Sequence, residues 1–496
     1  MRATTCLLGT TLLWTLGCGG EPAAPIDEVT LAATPVPASL VAAGAGHACF
    51  VKNGAVSCAG DHSLGQVGIG FFLQGGLPAG CLEPYPGYPE CEVPKPVLGL
   101  QGGVTQIAAG TSFSCALLGT GEVRCWGSNL YGQLGIGAGA PAGCYDTHDP
   151  ILGVYCASPV KVTGVSTAVE ITAGEFGACA RLASGQVQCW GLNLAGQLGI
   201  GTSKPAQCVG STVQGFAYYC HSPVTVPGLS GVIDVESVGG GAGTGHTCAV
   251  LSSGAVRCWG LNGQGELGIG ATLPAGCLDL SSPRDGIADV CPSPQPVQGL
   301  AGLQVKQVAA SGTSTCVLVA KAGGGTEARC FGGNFVGQLG IGTARPAGCD
   351  ETNPNNNIVE QCRLPVLLTT LSNPKRLSGG WLRMCAVGSA GQALCWGSDD
   401  RRGLGLGDGP LPAVCTGTGA GGYCHSPITV QGLPGPVTSV ITAETGSCAA
   451  LTAGGVECWG QNSYGLMAFG HTVPAGCSDY DHDGRADTCP IATPSL

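Results

Sequence analysis

Short apolar runs, each ended by glycine, recur along almost the whole chain. Between 107 and 137 the order is Ile107-Ala-Ala-Gly110, then Ser114-Cys115-Ala-Leu-Leu118, a glycine turn, Glu122-Val-Arg-Cys125-Trp126-Gly127, and Asn129-Leu-Tyr-Gly132-Gln-Leu-Gly-Ile-Gly137. Runs this short, broken by turn residues and lacking a helical period, predict β-strands. The same order returns seven times, with the first cysteines of successive copies 66, 64, 69, 68, 69 and 63 residues apart. So regular a period marks one structural unit copied along the chain. Three or four strands per unit and seven units predict an all-β fold, a seven-bladed β-propeller over residues 35–496. Each blade then buries its faces against its neighbours, and the ring needs a closing contact. The last copy stops at Ile491-Ala-Thr-Pro-Ser-Leu496, where other copies run on into the next Ala-Gly strand, and Leu40-Val-Ala-Ala-Gly44 offers that strand. The two ends are therefore expected to meet in one sheet.

Cysteine changes the picture most. Twenty-eight of thirty fall into seven quartets: Cys49, Cys58, Cys81 and Cys91; Cys115, Cys125, Cys144 and Cys156; Cys179, Cys189, Cys208 and Cys220; Cys248, Cys258, Cys277 and Cys291; Cys316, Cys330, Cys349 and Cys362; Cys385, Cys395, Cys415 and Cys424; Cys448, Cys458, Cys477 and Cys489. An even number per unit, with none missing, predicts two disulfides inside each unit, first to second and third to fourth. Cys115 and Cys125 flank the Gly119–Gly121 turn, so they can face each other across antiparallel strands, where the Cα spacing suits a disulfide. A loop of about ten residues closed this way contributes about 2–4 kcal/mol. Thiolate metal sites need closely spaced pairs of the C-x-x-C kind, and no such pair occurs. Bridges in this number imply an oxidising compartment rather than a cytosolic enzyme.

The two remaining cysteines lie in the leader. Arg2 precedes an apolar stretch, Cys6 to Leu16, too short to span a membrane stably, and it ends in Thr15-Leu16-Gly17-Cys18. This resembles a bacterial lipoprotein signal, with 1–17 removed, Cys18 lipidated and 18–34 a flexible tether rich in Ala, Pro and Gly. An ordinary secretory signal with an incidental cysteine is the alternative. Removal before Cys18 discards Cys6 and leaves every other cysteine in a quartet, which favours the lipoprotein reading. Gly19 in place of aspartate permits outer-membrane delivery. The chain is expected to be exported and lipid-anchored at a bacterial outer membrane or cell surface, or secreted. Charged residues make up only 10% of it and 88 glycines supply turns, which suits a secreted all-β protein.

The tryptophan after each second cysteine recurs as Trp126, Trp190, Trp259, Trp396 and Trp459, with Phe331 and Ala59 in the other two copies. A fixed aromatic position in a repeat points to packing between blades. The glycine-rich runs at 132–137, 196–201 and 337–342 lack the Lys-Ser/Thr and helix start of a phosphate loop. They read as tight turns where two backbones approach.

These residues together resemble the regulator of chromosome condensation repeat family. Its marks are a hydrophobic-Ala-Gly strand, a His/Ser-x-Cys-Ala-Leu strand, Cys-Trp-Gly, and Asn-x-x-Gly-Gln-Leu-Gly-x-Gly. The resemblance runs from about residue 41 to the end. Copies six and seven drift: Arg402-Gly-Leu-Gly-Leu-Gly407 lacks the Gln, and Gly465-Leu-Met-Ala-Phe-Gly470 loses more. The family implies a seven-bladed propeller. Its best-known eukaryotic member is a guanine nucleotide exchange factor that also binds nucleosomes, and bacterial members include secreted propellers that bind proteins, an inhibitor of β-lactamases among them. Family membership sets the fold without setting the function.

This sequence departs from the family in one respect. Each unit carries an insert opened by Pro-Ala-x-Cys, at Pro78, Pro141, Pro205, Pro274, Pro346, Pro412 and Pro474, and closed by the fourth cysteine. The frame is constant and the contents differ, as Leu82–Glu90 against Asp350–Gln361 shows. Insertions at one point of every repeat emerge on one rim or face, and variable loops on a rigid scaffold are where binding usually lives. Eight of the ten tyrosines lie in the inserts: Tyr85, Tyr88, Tyr145, Tyr155, Tyr218, Tyr219, Tyr423 and Tyr480. Tyrosine is favoured at interfaces. The inserts also hold 14 of the 31 Asp and Glu but two of the 20 Lys and Arg, a net of −12 against −11 for the whole chain. An acidic face repels nucleic-acid phosphate and favours basic partners or cations. In the last insert Asp479, Asp481, Asp483, Gly484 and Asp487 have the D-x-D-x-D-G spacing of a calcium loop, similar to a thrombospondin type 3 repeat. Pro490 stands where the bidentate acid belongs, which points to weak affinity, and Asp285–Asp289 is a degenerate version. A solvated acidic loop is the alternative.

The expectation is a non-enzymatic binding propeller, monomeric, whose inserts meet a protein or an extracellular glycan, without nucleic acid and with the membrane reached by lipid alone. Calcium is the one cofactor implied. An enzyme inhibitor, or an enzyme built on the propeller, is the first alternative. However, the eight histidines form no metal-spaced pair and no nucleophile motif occurs. Nucleotide exchange is the second, and an exported chain never meets a cytosolic GTPase.

Overall fold

The computed structural model describes residues 40–71, 77–85, 87–148, 153–210, 218–241, 244–281, 283–343, 345–350, 352–353, 358–407, 409–417, 421–444, 446–462, 477–479 and 488–494. They form seven antiparallel blades of four or five strands, plus a short ribbon. Asp400–Arg402 forms a single helical turn.

Blade 2 shows the plan. Val104–Ala109, Phe113–Leu118, Val123–Ser128 and Val154–Lys161 lie side by side from the channel outward. The second strand is buried at almost every position rather than at alternate ones, because both faces of a blade are covered by its neighbours. The cores are accordingly the seams. One seam joins Phe113, Leu117 and Leu134 of blade 2 to Ile171, Ala180 and Trp190 of blade 3.

The repeated tryptophans are buried in these seams. Each donates its indole N–H to a backbone carbonyl in the preceding blade's glycine-rich turn: Trp126 to Gln66 at 2.8 Å, and Trp190 to Gln133, Trp259 to Gln197, Trp396 to Gln338 and Trp459 to Gly403 at 2.9 Å. Blade 5 has Phe331, which has no N–H, and there the Thr315 hydroxyl donates to the Glu266 carbonyl at 2.9 Å. The turn glycines are set by the same approach. Gly132 has φ +74°, and a Cβ there would lie 2.8 Å from the Cys220 carbonyl oxygen and His221 Cα of blade 3.

Blade 6 explains its own drift. Arg383 takes the place of Phe113 and is buried, with Nη2 donating to the Asp400 carbonyl at 3.0 Å. A Cβ at Gly403 would fall within the Arg383 guanidinium, so the side chain that stands here as Gln66, Gln133, Gln197 and Gln338 in other copies has no room. Arg401 and Arg402 then carry the positive φ of the turn, 59° and 60°.

The fourteen disulfides join first to second and third to fourth cysteine in every blade, with Cα atoms 3.9–4.2 Å apart. The first bridge pins the second strand to the third, as Cys115 faces Cys125. The second pins the insert to the outer strand, as Cys144 faces Cys156.

Ring closure differs from the expectation. Val41–Ala43 pairs inside blade 1, and Thr488–Pro494 pairs inside blade 7 as its outer strand. The repeat is therefore in phase with the blade, and among the described residues no blade is shared between the two ends of the ring. Closure is by side-chain packing of Val41 and Phe50 against Ile441, Cys448, Val456 and Cys458. The reading failed because it took the segment after the fourth cysteine as a link to the next unit, whereas it is the outer strand of its own. Among the described residues, no helix is long and apolar enough to cross a membrane.

Candidate functional site

Strand direction decides where the inserts emerge. The third strand of each blade ends beside the turn that joins the first two, as the bond from Ser128 N–H to Ser112 O shows. The outer strand begins at that same end, with Tyr155 opposite Ser128, Tyr219 opposite Leu192 and Tyr423 opposite Ser398. The inserts thus share one face with the inner hairpin turns. They form edge strands at Cys81–Tyr85, Cys144–Asp146, Cys208–Val209 and Cys415–Thr416, and a separate ribbon, Thr352–Asn353 with Ile358–Val359, in blade 5.

The tyrosines divide into two groups. Tyr88 and Tyr145 are 60% and 49% exposed. Tyr155, Tyr218, Tyr219 and Tyr423 are half-buried. Rings from adjacent blades meet edge to face: Phe71 of blade 1 lies 5.5 Å from Tyr155 and 6.2 Å from Tyr145, and Tyr131 of blade 2 lies 5.3 Å from Phe176 and 6.2 Å from Tyr218. Part of the tyrosine set therefore packs blades together at their rim. Tyr480, Asp481, Asp483, Asp487 and Cys18, with the side chain of Tyr85, lie outside the described residues. Asp479 is described and half-buried.

In the blade-4 insert the carboxylates hold the loop itself. Asp279 accepts from the Ser281 hydroxyl at 2.5 Å and from Gly286 N–H at 2.8 Å, Asp285 from Ile287 N–H, and Asp289 from Leu280 N–H. The Ser281 hydroxyl, ahead of the backbone donors, keeps the Asp279 carboxyl below its usual range.

The same face opens on the central channel, a cavity of about 640 Å³ walled by the innermost strands Val41–Ala43, Val104–Ala109, Ala168–Ala173, Val232–Gly241, Gln304–Ser311, Arg376–Gly379 and Val437–Thr442. At its mouth stand Glu175, Trp381 and Glu444. The Trp381 ring reaches from blade 6 to Gly241 of blade 4, and its carbonyl accepts from Gly312 N–H of blade 5 at 2.8 Å. Deeper lie Glu170, Asp234, Glu236, Arg181 and Arg376. Glu170 pairs with Arg181 at 2.5 Å. Desolvation, then the nearby Glu170 charge, pushes Glu236 up to about 8.

The Regulator of chromosome condensation (RCC1) repeat profile matches residues 104–133, 168–197 and 240–266, one stretch in each of blades 2, 3 and 4. Those three stretches are similar to RCC1 repeats. In blades 2 and 3 the matched residues include the inner hairpin, Cys-Trp-Gly and the turn carbonyl, Gln133 or Gln197, that receives the next blade's indole. Protein pim1 of Schizosaccharomyces pombe is 32% identical over 34% of this chain, and the match spans 29% of pim1. The ultraviolet-B receptor UVR8 of Arabidopsis thaliana is 26% identical over 77% of this chain and 69% of its own. Prp20p of Saccharomyces cerevisiae, whose crystal structure is described with its binding to Gsp1p and histones, superposes with a TM-score of 0.58 over 82% of this chain and 80% of its own, at 18% identity. It shares the fold.

Trp381, Tyr131, Phe71, Phe176 and the channel acids were not singled out by sequence reading. Trp381 breaks the Cys-Trp rule, and that offset was the available signal. The acids look like ordinary polar strand positions until the ring sets adjacent blades side by side.

Proposed function

We propose that this chain is an exported, non-enzymatic binding propeller whose insert-bearing face engages another protein, basic at the contact. The observation that carries the reading is the placement of seven disulfide-stapled, differing inserts, five of them net-acidic, on one face of a rigid ring. Charge there favours a cationic partner and speeds its arrival, with steep salt dependence. Prp20p, which shares the fold, is described with its binding properties to Gsp1p and histones, which favours a protein partner. Fourteen disulfides fit a compartment outside the cytosol. Lipidation at Cys18 would hold the propeller at a membrane through the 18–34 tether. Calcium at Asp479, Asp481, Asp483 and Asp487 would fix the last insert.

The test is affinity capture from the exported fraction with the oxidised protein, repeated with Glu83→Lys and Asp285→Lys, both exposed. A partner bound more weakly by the reversed face, and released as salt rises, supports the reading. Capture unchanged by both substitutions and by salt would remove the acidic face from the account.

A further inference from the structure

One position of the innermost strand makes the same contact around much of the ring. In blade 2 it is Gln106, whose side chain accepts from Ile171 N–H at 2.9 Å and donates to Ile171 O at 2.8 Å, pinning blade 2 to blade 3. In blade 5 it is Gln307, which does the same to Leu377 of blade 6 at 3.0 Å both ways. In blades 3 and 4 the position holds acids. Glu170 accepts from Val235 N–H, and Asp234 accepts from Val308 N–H at 2.7 Å. A carboxylate copies the accepting half of the amide but has no hydrogen for the other half. Instead the Glu170 and Asp234 carboxyl groups, both buried on the channel wall, come within hydrogen-bonding reach of each other. Two carboxyl groups can share a hydrogen bond only with a proton between them.

We propose that this shared proton is a pH-sensitive latch on the seam between blades 3 and 4, closed in acid and strained once the proton leaves. The surrounding charges fit that direction. Arg181, on the strand beside Glu170, satisfies one carboxylate. Glu236, two residues along from Asp234, adds acid on the same wall. Arg376 reaches the group from blade 6 and attracts Asp234, Glu236 and Glu170, but its Nη1 is buried and unpartnered and it forms no ion pair with them. Lys306, on the innermost strand of blade 5, is exposed and outside the cavity lining. Burial, ahead of mutual repulsion, raises Asp234 well above the ordinary carboxyl range and keeps the proton on the folded state. The unfolded chain releases that proton at lower pH. Stability of this seam therefore falls as pH rises and recovers as pH falls.

Hydrogen exchange of oxidised protein, corrected for the intrinsic pH effect, tests the latch. Peptides covering 168–173 and 232–241 should lose protection by on the order of tenfold between about pH 5 and about pH 9, relative to 104–109, where Gln106 needs no proton. Asp234→Asn keeps the acceptor for Val308 and supplies a permanent donor to Glu170. With wild type and variant both carrying Glu236→Gln, which removes the other carboxyl that titrates in this range, it should abolish that relative loss. A wild-type ratio that stays flat with pH overturns the proposal without any variant. A relative loss that persists in Asp234→Asn with Glu236→Gln overturns it as well.

Discussion

Trp190→Phe removes one hydrogen and a little ring volume from a buried seam, and the neighbouring repeats provide its controls. In the wild type the indole N–H donates to Gln133 O at 2.9 Å. The residue before the first cysteine decides what remains. Blade 4 has Thr247, whose hydroxyl also donates to the Gln197 carbonyl at 2.9 Å, and blade 7 has Ser447, which donates to the Gly403 carbonyl at 3.0 Å. Blade 3 has Ala178 there. Trp190→Phe therefore strips the buried Gln133 carbonyl of its side-chain donor, whereas Trp259→Phe and Trp459→Phe leave a hydroxyl in place. An orphaned buried acceptor costs about 1–3 kcal/mol. The smaller ring costs all three variants about the same. Trp190→Phe should fall below the other two by about 1–2 kcal/mol in guanidinium unfolding of oxidised protein followed by far-ultraviolet circular dichroism. Ala178→Thr should restore about 1 kcal/mol in the Trp190→Phe background and none in the wild type, a coupling that a double-mutant cycle isolates. Equal losses at all three tryptophans, with no coupling to residue 178, would refute the seam account.

The remaining predictions concern blade 6, the last insert and the leader. Asp399 accepts from Leu404 N–H at 2.9 Å as Asn129 does from Leu134, but its second oxygen is buried without a partner, and desolvation pushes the carboxyl up to about 6. A raised carboxyl weakens folding above its folded pKa, and the penalty disappears below the unfolded one. Asp399→Asn should thus stabilise by about 1–2 kcal/mol near pH 8 and by nothing near pH 3, read from unfolding midpoints at each pH. Gly403→Gln should destabilise by about 2–4 kcal/mol, because the Arg383 guanidinium fills the space. Arg383→Phe, the blade-2 arrangement, should recover most of that loss in the same unfolding assay. Calcium at about ten times its dissociation constant should stabilise by about 1.4 kcal/mol in a thermal melt, and Asp481→Ala with Asp483→Ala should abolish the rise. Cys18→Ser should release the protein from the membrane fraction or block its processing.

The repeat length, the paired cysteines and the buried tryptophans were legible because each is a local pattern read seven times. Cys115 and Cys125 lie ten residues apart across one turn, so their facing follows from hairpin geometry alone. Ring closure was misread at Leu40–Gly44 because local pattern does not say where a unit begins. Only the pairing of Val41–Ala43 within blade 1 fixes the phase. The channel group was invisible for a different reason. Glu170 and Asp234 stand 64 positions apart, and nothing short-range distinguishes them from solvated acids. Their meeting depends on two blades lying in register, as does the seam between Gln106 and Ile171. At the rim, tyrosine content was read as contact surface alone, whereas Phe71 and Tyr131 show some of those rings occupied by neighbouring blades.

The central claim is that the insert-bearing face is the one that meets a partner. Photo-crosslinking tests it most directly, with a photoreactive residue placed singly at Tyr88 or Tyr145 on that face, and at Asn53 or Ser184 on exposed turns at the other end of the blades. The account predicts that the first pair captures one and the same protein in the native exported fraction and that the second pair does not. Capture from Asn53 and Ser184 alone would place the partner on the opposite face and contradict the account.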